Sequence, residues 1–405
     1  MAAPATRASL AIDGGQPVRT RPFAPWPQFS ADEMEAAQRV LASGKVNYWT
    51  GAEGRSFESE FAASIGVKHA VALANGSVAL ELALRALGIR PGDEVIVPSR
   101  SFIASASCAS VVGATPVFAD CDRESGNMTA ATISPCITGR TRAIIVVHLG
   151  GWPCEMPGIL GLAERHDLKV IEDCAQAQGA ALAGRALGSF GHAAVFSFCQ
   201  DKIMTTGGEG GMLVTSDSRA WQLAWSYKDH GKSTEAIERG SGVAFRWLHE
   251  SIGTNWRMTE MQSAMGRVML PRIAERVAQR QRNAAMLDAA FQELPVLRVC
   301  VPAASSRRAY YRYYVYLRPE RLAPGWGRDR ILAAIEAEGV PAFSGSCSEV
   351  YLEKALAACR PAQPLAIARE LGETSLCFLV HHTLDHSDMH DTAAAVEKVL
   401  QHATR

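Results

Sequence analysis

Between residues 69 and 173, short apolar runs alternate with segments that have the pattern of helices. The runs are HAVALA, EVIVPS, TPVFADC, AIIVVHL and LKVIED, and helices are expected from Ser77, from Ser101 and over 156–166. This alternation predicts an α/β fold, with a mostly parallel sheet that carries helices on both faces. Two later runs, AAVFSF and GMLVTS, follow each other without an intervening helix, so either one strand runs antiparallel or a short turn links neighbours.

The pattern of elements predicts three parts of the chain. These are an N-terminal arm, a large domain and a small C-terminal α+β domain, at residues 1–30, 31–275 and 276–405. Ser30 followed by Glu33 is a capping box, which predicts that a helix begins where the arm ends. The amphipathic segment after Thr259 should be helical and lead into the small domain, with a kink at Pro271 because proline lacks an amide hydrogen.

The charge balance limits the classes of partner. Lys and Arg number 41, Asp and Glu also number 41, and 48% of residues are hydrophobic. This balance indicates a small-molecule enzyme and gives no support for a nucleic acid or an anionic membrane as partner. The chain lacks a signal-like or membrane-length apolar run, so we expect a cytoplasmic protein. Its ten cysteines show neither C-x-x-C pairs nor zinc-ligand spacing, so we expect no metal and no disulfide framework.

Two polar residues mark the ends of apolar runs, where ligands of open α/β sheets bind. Asp173 ends KVIED and is either a helix N-cap or a partner for the ring nitrogen of pyridoxal phosphate (PLP). Lys202 lies between FSF and the glycine-rich GGEGG. It is either a solvated loop lysine or a desolvated amine that attacks an aldehyde and moves a proton. The lysine precedes the glycines, which is the wrong order for a P-loop.

Four segments together resemble one enzyme family. They are NGSVALELALRALGIRPGDEVIVPSRSFIASA, VIEDCAQAQGA, FSFCQDKIMTTGGEGG and GTNWRMTEMQSAMGRV, which span most of residues 30–275. In sequence and order they resemble the sugar aminotransferases often called DegT/DnrJ/EryC1/StrS, which are fold type I PLP enzymes. The resemblance implies a sheet of the seven-stranded type and a homodimer with shared active sites.

The resemblance also implies which residues hold the cofactor. Lys202 would form a Schiff base with PLP, and Asp173 would pair with its pyridine nitrogen. Gly76 and Ser77 would bind its phosphate through backbone amides and the serine hydroxyl, which agrees with the anion affinity of a helix N-terminus. Without the other segments, Asn75-Gly76-Ser77 could equally be an ordinary strand-to-helix turn.

Four more residues complete the implied cofactor site. Ser197 would give a second hydroxyl to the phosphate, and Gln176 would approach O3′ or one face of the ring. Phe102 would stack on the ring, although a core phenylalanine is the alternative. Asn255 would reach the phosphate of the neighbouring subunit, which requires the homodimer.

The resemblance implies transfer of an amino group from glutamate or glutamine to a keto-sugar, with a nucleotide-linked sugar favoured. Alternatives are a keto-cyclitol aminotransferase, a PLP-dependent sugar dehydratase and a non-catalytic PLP-binding regulator. Candidates for substrate contacts are Trp49, Trp152 and His381. The two tryptophans could equally be packed aromatics, and His381 a core histidine.

Overall fold

The computed structural model describes residues 9–239 and 248–404. Strands in residues 69–215 are β1 His69–Leu73, β2 Glu94–Pro98, β3 Thr115–Ala119, β4 Thr141–Val147, β5 Lys169–Asp173, β6 Ala181–Leu182, β7 Arg185–Ala186, β8 Ala193–Ser197 and β9 Gly211–Thr215. Seven of them form one sheet in the order β1-β9-β8-β5-β4-β2-β3. Within this sheet β9 pairs antiparallel with β1 and β8, and the other pairings are parallel. The predicted α/β fold is confirmed, and β9 is the antiparallel strand that the uninterrupted pair of runs suggested.

Helices cover both faces of this sheet and continue to the C-terminus. They are α1 Ala31–Ser43, α2 Glu53–Ile65, α3 Gly76–Ala86, α4 Ala104–Val111, α5 Ala130–Ile133, α6 Met156–Arg165, α7 Ser218–Lys228, α8 Thr234–Arg239, α9 Glu260–Met269, α10 Ile273–Gln292, α11 Arg328–Ala337, α12 Ala366–Thr374 and α13 His386–Ala403. The capping box of Ser30 and Glu33 is present at the start of α1. A turn of 3-10 helix that contains Pro271 separates α9 from α10, so the predicted kink is confirmed. α4 begins at Ala104, three residues after the expected start.

Alternate residues of the strands enter different hydrophobic cores. On β1, Val71 and Leu73 pack in one core, whereas Ala70 and Ala72 pack in another on the opposite face. Successive side chains of a strand point to opposite faces, and a parallel sheet is stable only when both faces are covered. The sheet is therefore a rigid platform, and its polar strand ends are held at a fixed edge.

A second sheet lies in the C-terminal part of the chain. Its strands are β10 Leu297–Arg298, β12 Tyr313–Leu317, β13 Ala342–Phe343 and β14 Ser375–Phe378, while β11 Ser306–Arg307 pairs with β6. The order is β10-β12-β14-β13, and every pairing is antiparallel. A separate core forms around this sheet from α10, α11 and α13. The boundaries 31–275 and 276–405 stay a prediction, because α10 runs through residue 275 without a break.

The N-terminal arm packs on this second core. Leu10 is 1% exposed among its apolar side chains, and Arg19 forms ion pairs with Asp388 and Asp391. Among the described residues, every helix is too short or too polar to cross a membrane.

Candidate active site

A cavity of about 1050 Å³ opens at the carboxyl ends of the parallel strands. β5 ends at Asp173, β8 ends at Ser197, and α3 begins at Gly76 just after β1. Seven residues that the sequence marked for the cofactor line this single cavity: Gly76, Ser77, Phe102, Asp173, Gln176, Ser197 and Lys202. The topology of the sheet thus brings together residues that are up to 126 positions apart in the chain.

Asp173 is a buried carboxylate at the base of the cavity. Its Oδ2 accepts a hydrogen bond from the Ser105 hydroxyl at 2.8 Å, and its Oδ1 accepts one from the Ala175 amide at 3.1 Å. Burial raises the pKa of Asp173, and the Ala175 amide, the Ser105 hydroxyl and the charge of Lys202 only partly oppose this effect. A cationic partner that enters the cavity would therefore stabilise the carboxylate. No α-helix begins at Asp173 in the described chain, so the N-cap interpretation is wrong.

The Lys202 side chain is 16% exposed and lies among polar groups of both parts of the chain. Its Nζ is 3.2 Å from Oδ1 of Asp201 and 3.5 Å from the hydroxyl oxygen of Tyr311. The Tyr311 hydroxyl in turn donates to Oδ2 of Asp201. Burial raises the pKa of Asp201, but the Lys202 charge and the Tyr311 hydroxyl outweigh it and hold the pKa below its ordinary value. Lys202 is thus positioned by a carboxylate and a phenol and is not a freely solvated loop lysine.

The start of α3 forms a cradle in which position 76 has room only for glycine. A Cβ on Gly76 would lie 2.8 Å from the Cβ of Ser197, closer than such atoms approach in proteins. The side chain of Asn75 caps the helix by accepting from the Val78 amide at 3.0 Å. The first amides of a helix lack intrahelical acceptors, so Gly76 and Ser77 present donors suited to an anion.

Gln176 and Phe102 differ in how firmly they are held. The Oε1 of Gln176 accepts from the Gly150 amide at 2.7 Å, which fixes the buried amide side chain. Phe102 is 67% exposed at the cavity wall, so it is not the core phenylalanine of the alternative interpretation. Its exposed ring is available to stack on a planar ligand.

The remaining predicted residues lie away from this cavity within the chain. Asn255 is exposed and pairs through its backbone with Asp229. The Nε1 of Trp49 donates to Oδ2 of Asp229 at 2.8 Å, and Trp152 lies 3.9 Å below the guanidinium of Arg308. His381 is 4% exposed, and its Nδ1 is 2.7 Å from the Thr383 hydroxyl. Within the chain, the two tryptophans are thus packed aromatics and His381 is a core histidine, as the alternative interpretations hold.

Several residues near the cavity escaped the sequence analysis. Ser105 contacts Asp173 across 68 positions of chain, so no local pattern indicates the pair. Asp201 stands next to Lys202 in QDK, and Tyr311 lies in the YYRYYVYLR run, so adjacency and aromatic density were the available signals. His148 and Glu172 form a further buried pair behind the cavity, 24 positions apart, with Nε2 to Oε2 at 3.1 Å.

Comparison with known proteins agrees with this geometry. The model of the DegT/DnrJ/EryC1/StrS aminotransferase family matches residues 27–397. The chain belongs to this family. A UDP-N-acetyl-3-dehydro-alpha-D-glucosamine 3-aminotransferase of Acidithiobacillus ferrooxidans is 38% identical over 79% of this chain and 83% of its own length. An L-glutamine:2-deoxy-scyllo-inosose aminotransferase of Streptomyces lividus is also 38% identical, over 82% and 79%.

A solved aminotransferase from Psychrobacter cryohalolentis is similar along almost the whole chain. It shares 51% identity and a TM-score of 0.92, covering 94% of this chain and 100% of its own. The fold type I prediction and the enzyme class are therefore confirmed: the chain is a PLP-dependent aminotransferase. The geometry described above also fits PLP, because an amine, a buried carboxylate and an anion-binding helix N-terminus line one cavity.

Proposed function

We propose that the enzyme transfers an amino group from glutamate or glutamine to a keto-sugar linked to a nucleotide, in the cytoplasmic synthesis of an amino sugar or polysaccharide. The observation that carries the proposal is that Lys202 and Asp173 line the same cavity as the α3 N-terminus. The relative from A. ferrooxidans, whose name specifies a UDP-linked 3-dehydro sugar, supports the choice of acceptor.

PLP, when bound, supplies an aldehyde and a ring that accepts electrons. Gly76 and Ser77 would bind its phosphate with the free amides of α3, and the Ser197 hydroxyl lies at the same place. Asp173 would accept the hydrogen of the ring nitrogen. A positively charged ring offsets the cost of burying the Asp173 carboxylate. The pKa of Asp173, which is raised in the cofactor-free protein, would therefore fall when the cofactor binds.

Lys202 would carry the proton that the reaction moves. Its Nζ is the cavity amine that can hold the aldehyde, and the same atom can take a proton from Cα of the donor and return it to the cofactor. Asp201 and Tyr311 position that nitrogen. We therefore assign proton transfer to Lys202 and positioning to Asp201 and Tyr311.

Phe102 and Gln176 would hold the ring from two sides, Phe102 by stacking and Gln176 through its fixed amide. Asn255 is exposed and outside its own cavity, which is the placement expected of a residue that serves a neighbouring subunit. We therefore propose a homodimer with shared active sites. Trp49, which is half-buried and donates to the Asp229 carboxylate, stays a candidate for a substrate contact.

The test is incubation of the protein with PLP, glutamate or glutamine, and a panel of nucleotide-linked 3- and 4-keto-sugars and keto-cyclitols, followed by mass spectrometry. We expect one keto-sugar to gain a single amine. An aminated cyclitol would instead support the activity named for the S. lividus relative. Loss of water without amine gain would indicate a dehydratase, and no product from any acceptor would contradict the proposal.

A further inference from the structure

Arg312 brings a guanidinium to the cavity without a protein acceptor. The residue directly precedes β12 and lines the cavity together with Lys202. Within residues 9–239 and 248–404, its side chain forms no hydrogen bond or ion pair, and its contact is with the Tyr311 ring at 4.9 Å. A guanidinium has five donors in a planar fork that matches a carboxylate. These donors are available to a ligand.

The surroundings of Arg312 include one carboxylate, Asp201, whose pKa the charge of Arg312 helps to lower, but they also carry further positive charge. Arg280, 1% exposed, lies close by and donates to the carbonyls of Tyr310 and Tyr311. Burial and, next, the charge of Arg312 lower the pKa of Arg280 to about 9. Burial, Arg280 and Arg312 likewise lower the pKa of His381 to about 3. An anion bound by Arg312 would relieve this mutual repulsion.

Arg312 and Lys202 share the ring of Tyr311. The Nζ of Lys202 and the guanidinium carbon of Arg312 are each 4.9 Å from the centroid of that ring. Both residues also line the same cavity of about 1050 Å³, so a small molecule bound there can contact both groups. In an α-amino acid the carboxylate and the amino group are attached to the same carbon, whereas the phosphates of a nucleotide-linked sugar are many bonds from its ketone.

We propose that Arg312 binds the α-carboxylate of the amino donor, so that Cα–H faces the Nζ of Lys202, and thereby selects an α-amino acid over an amine without a carboxylate. The assignment rests on the proposed function, because it requires an α-amino acid to enter this cavity. Glutamate and glutamine carry the same α-carboxylate, so this contact would serve either proposed donor. Arg312 forms a bidentate contact with that group, which also fixes the direction of Cα–H.

The test compares the cofactor-loaded wild type with Arg312→Gln and Arg312→Lys. The control is Arg307→Gln, which removes the same charge from an exposed position on β11. Two readouts are used: the dissociation constant of α-methyl-L-glutamate, which has no Cα proton to lose, and the rates of cofactor amination by L-glutamate and by its α-amide. The absorbance of bound PLP and the melting temperature report whether each variant folds and retains the cofactor.

We expect the dissociation constant of α-methyl-L-glutamate to rise roughly 100-fold in Arg312→Gln and roughly 10-fold in Arg312→Lys, because charge-assisted bidentate hydrogen bonds are lost. The preference for glutamate over its α-amide should disappear in Arg312→Gln, and Arg307→Gln should match the wild type. Equal affinity and an unchanged preference in both Arg312 variants would overturn the assignment and leave the proposed function standing. A wild type that neither binds α-methyl-L-glutamate nor exchanges an amino group with any amino acid would overturn both.

Discussion

Glu172 and Asp173 are consecutive residues of β5 whose carboxylates lie on opposite faces of the sheet. Behind the cavity, Glu172 accepts hydrogen bonds from the amides of Gly188, Phe190 and Gly191, and its Oε2 is 3.1 Å from the Nε2 of His148. In the cavity, the carboxylate of Asp173 accepts only two hydrogen bonds from the described residues, from Ser105 and Ala175.

The carboxylate of Glu172 is structural, whereas that of Asp173 can still bind a ligand. The amide of Cys154 donates to Nδ1 of His148, so Nε2 carries the ring hydrogen and donates to Glu172. Burial raises the pKa of Glu172, but its donors outweigh burial and hold the pKa below 4.5. The pKa of Asp173 is raised instead. A completed network stabilises the fold, whereas an incomplete one is ready for a ligand.

The largest effect should come from the cavity side. Lys202→Ala removes the group that we assign to both covalent attachment and proton transfer. We expect the transamination rate to fall at least about 10⁴-fold, or about 5.5 kcal/mol, while the free energy of unfolding of the cofactor-free protein changes by less than about 1 kcal/mol. Steady-state kinetics and urea unfolding check this, and residual activity within about tenfold of the wild type would contradict it.

On the face behind the cavity, a substitution should instead lower the stability of the fold. Glu172→Gln places an amide among three backbone donors and removes the charge from a buried pair, so we expect a loss of about 3–5 kcal/mol in unfolding free energy. Glu164→Gln, at an exposed position of α6, is the matched control and should cost less than about 0.5 kcal/mol. Chemical denaturation of both variants measures the difference. An unfolding free energy equal to that of the wild type would show that the network is dispensable.

Asp173→Asn should lower the transamination rate about 10²- to 10³-fold, because a neutral amide does not stabilise a protonated ring. Its stability should depend on pH. The native pKa of Asp173 lies above 3.8, so the cofactor-free wild type loses stability as the pH rises from about 3.8 through that native value. The unfolding free energy of Asp173→Asn minus that of the wild type should therefore increase over this range.

For Glu172→Gln the pH dependence should have the opposite sign. The native pKa of Glu172 is below 4.5, so the wild type gains its contribution above 4.5 and loses it as the pH falls through the native value. Urea unfolding of cofactor-free proteins across this pH range compares the two neighbours directly. Parallel pH profiles for the two variants would contradict the distinction between them.

The smallest effect is expected at Gly76. Gly76→Ala forces a Cβ against Ser197, so the start of α3 or the end of β8 must shift. We expect about 1–3 kcal/mol of destabilisation and about tenfold weaker PLP binding. Gly139→Ala, where an added Cβ meets no atom within 4 Å, is the control. Fluorescence titration with PLP measures the affinity. Equal PLP affinity in Gly76→Ala and the wild type would show that Gly76 is not needed for binding the cofactor.

Local patterns predicted most of the fold, whereas the residues of the cavity were identified mainly through the resemblance to the family. Apolar alternation identified the strands, and Gly76 and Asp173 stand at a helix start and a strand end, where the topology of an α/β sheet places them together. Lys202 lies in the loop after β8. Contacts between distant segments were invisible, such as Ser105 with Asp173 and His148 with Glu172. Trp49, Trp152 and His381 were chosen for their residue types within the segments SGKVNYWTG, LGGWP and LVHHTL. Neither residue type nor segment distinguishes a packed side chain from one that lines a cavity.

The measurement that tests the account most directly is to identify the residue that holds PLP. Borohydride reduction of the cofactor-loaded protein, proteolysis and mass spectrometry locate the labelled lysine. The account predicts one reduced pyridoxyl phosphate per chain, on the peptide that contains Lys202, and none in Lys202→Ala. A label on Lys228 or Lys232, or a wild type that takes no label, would contradict it.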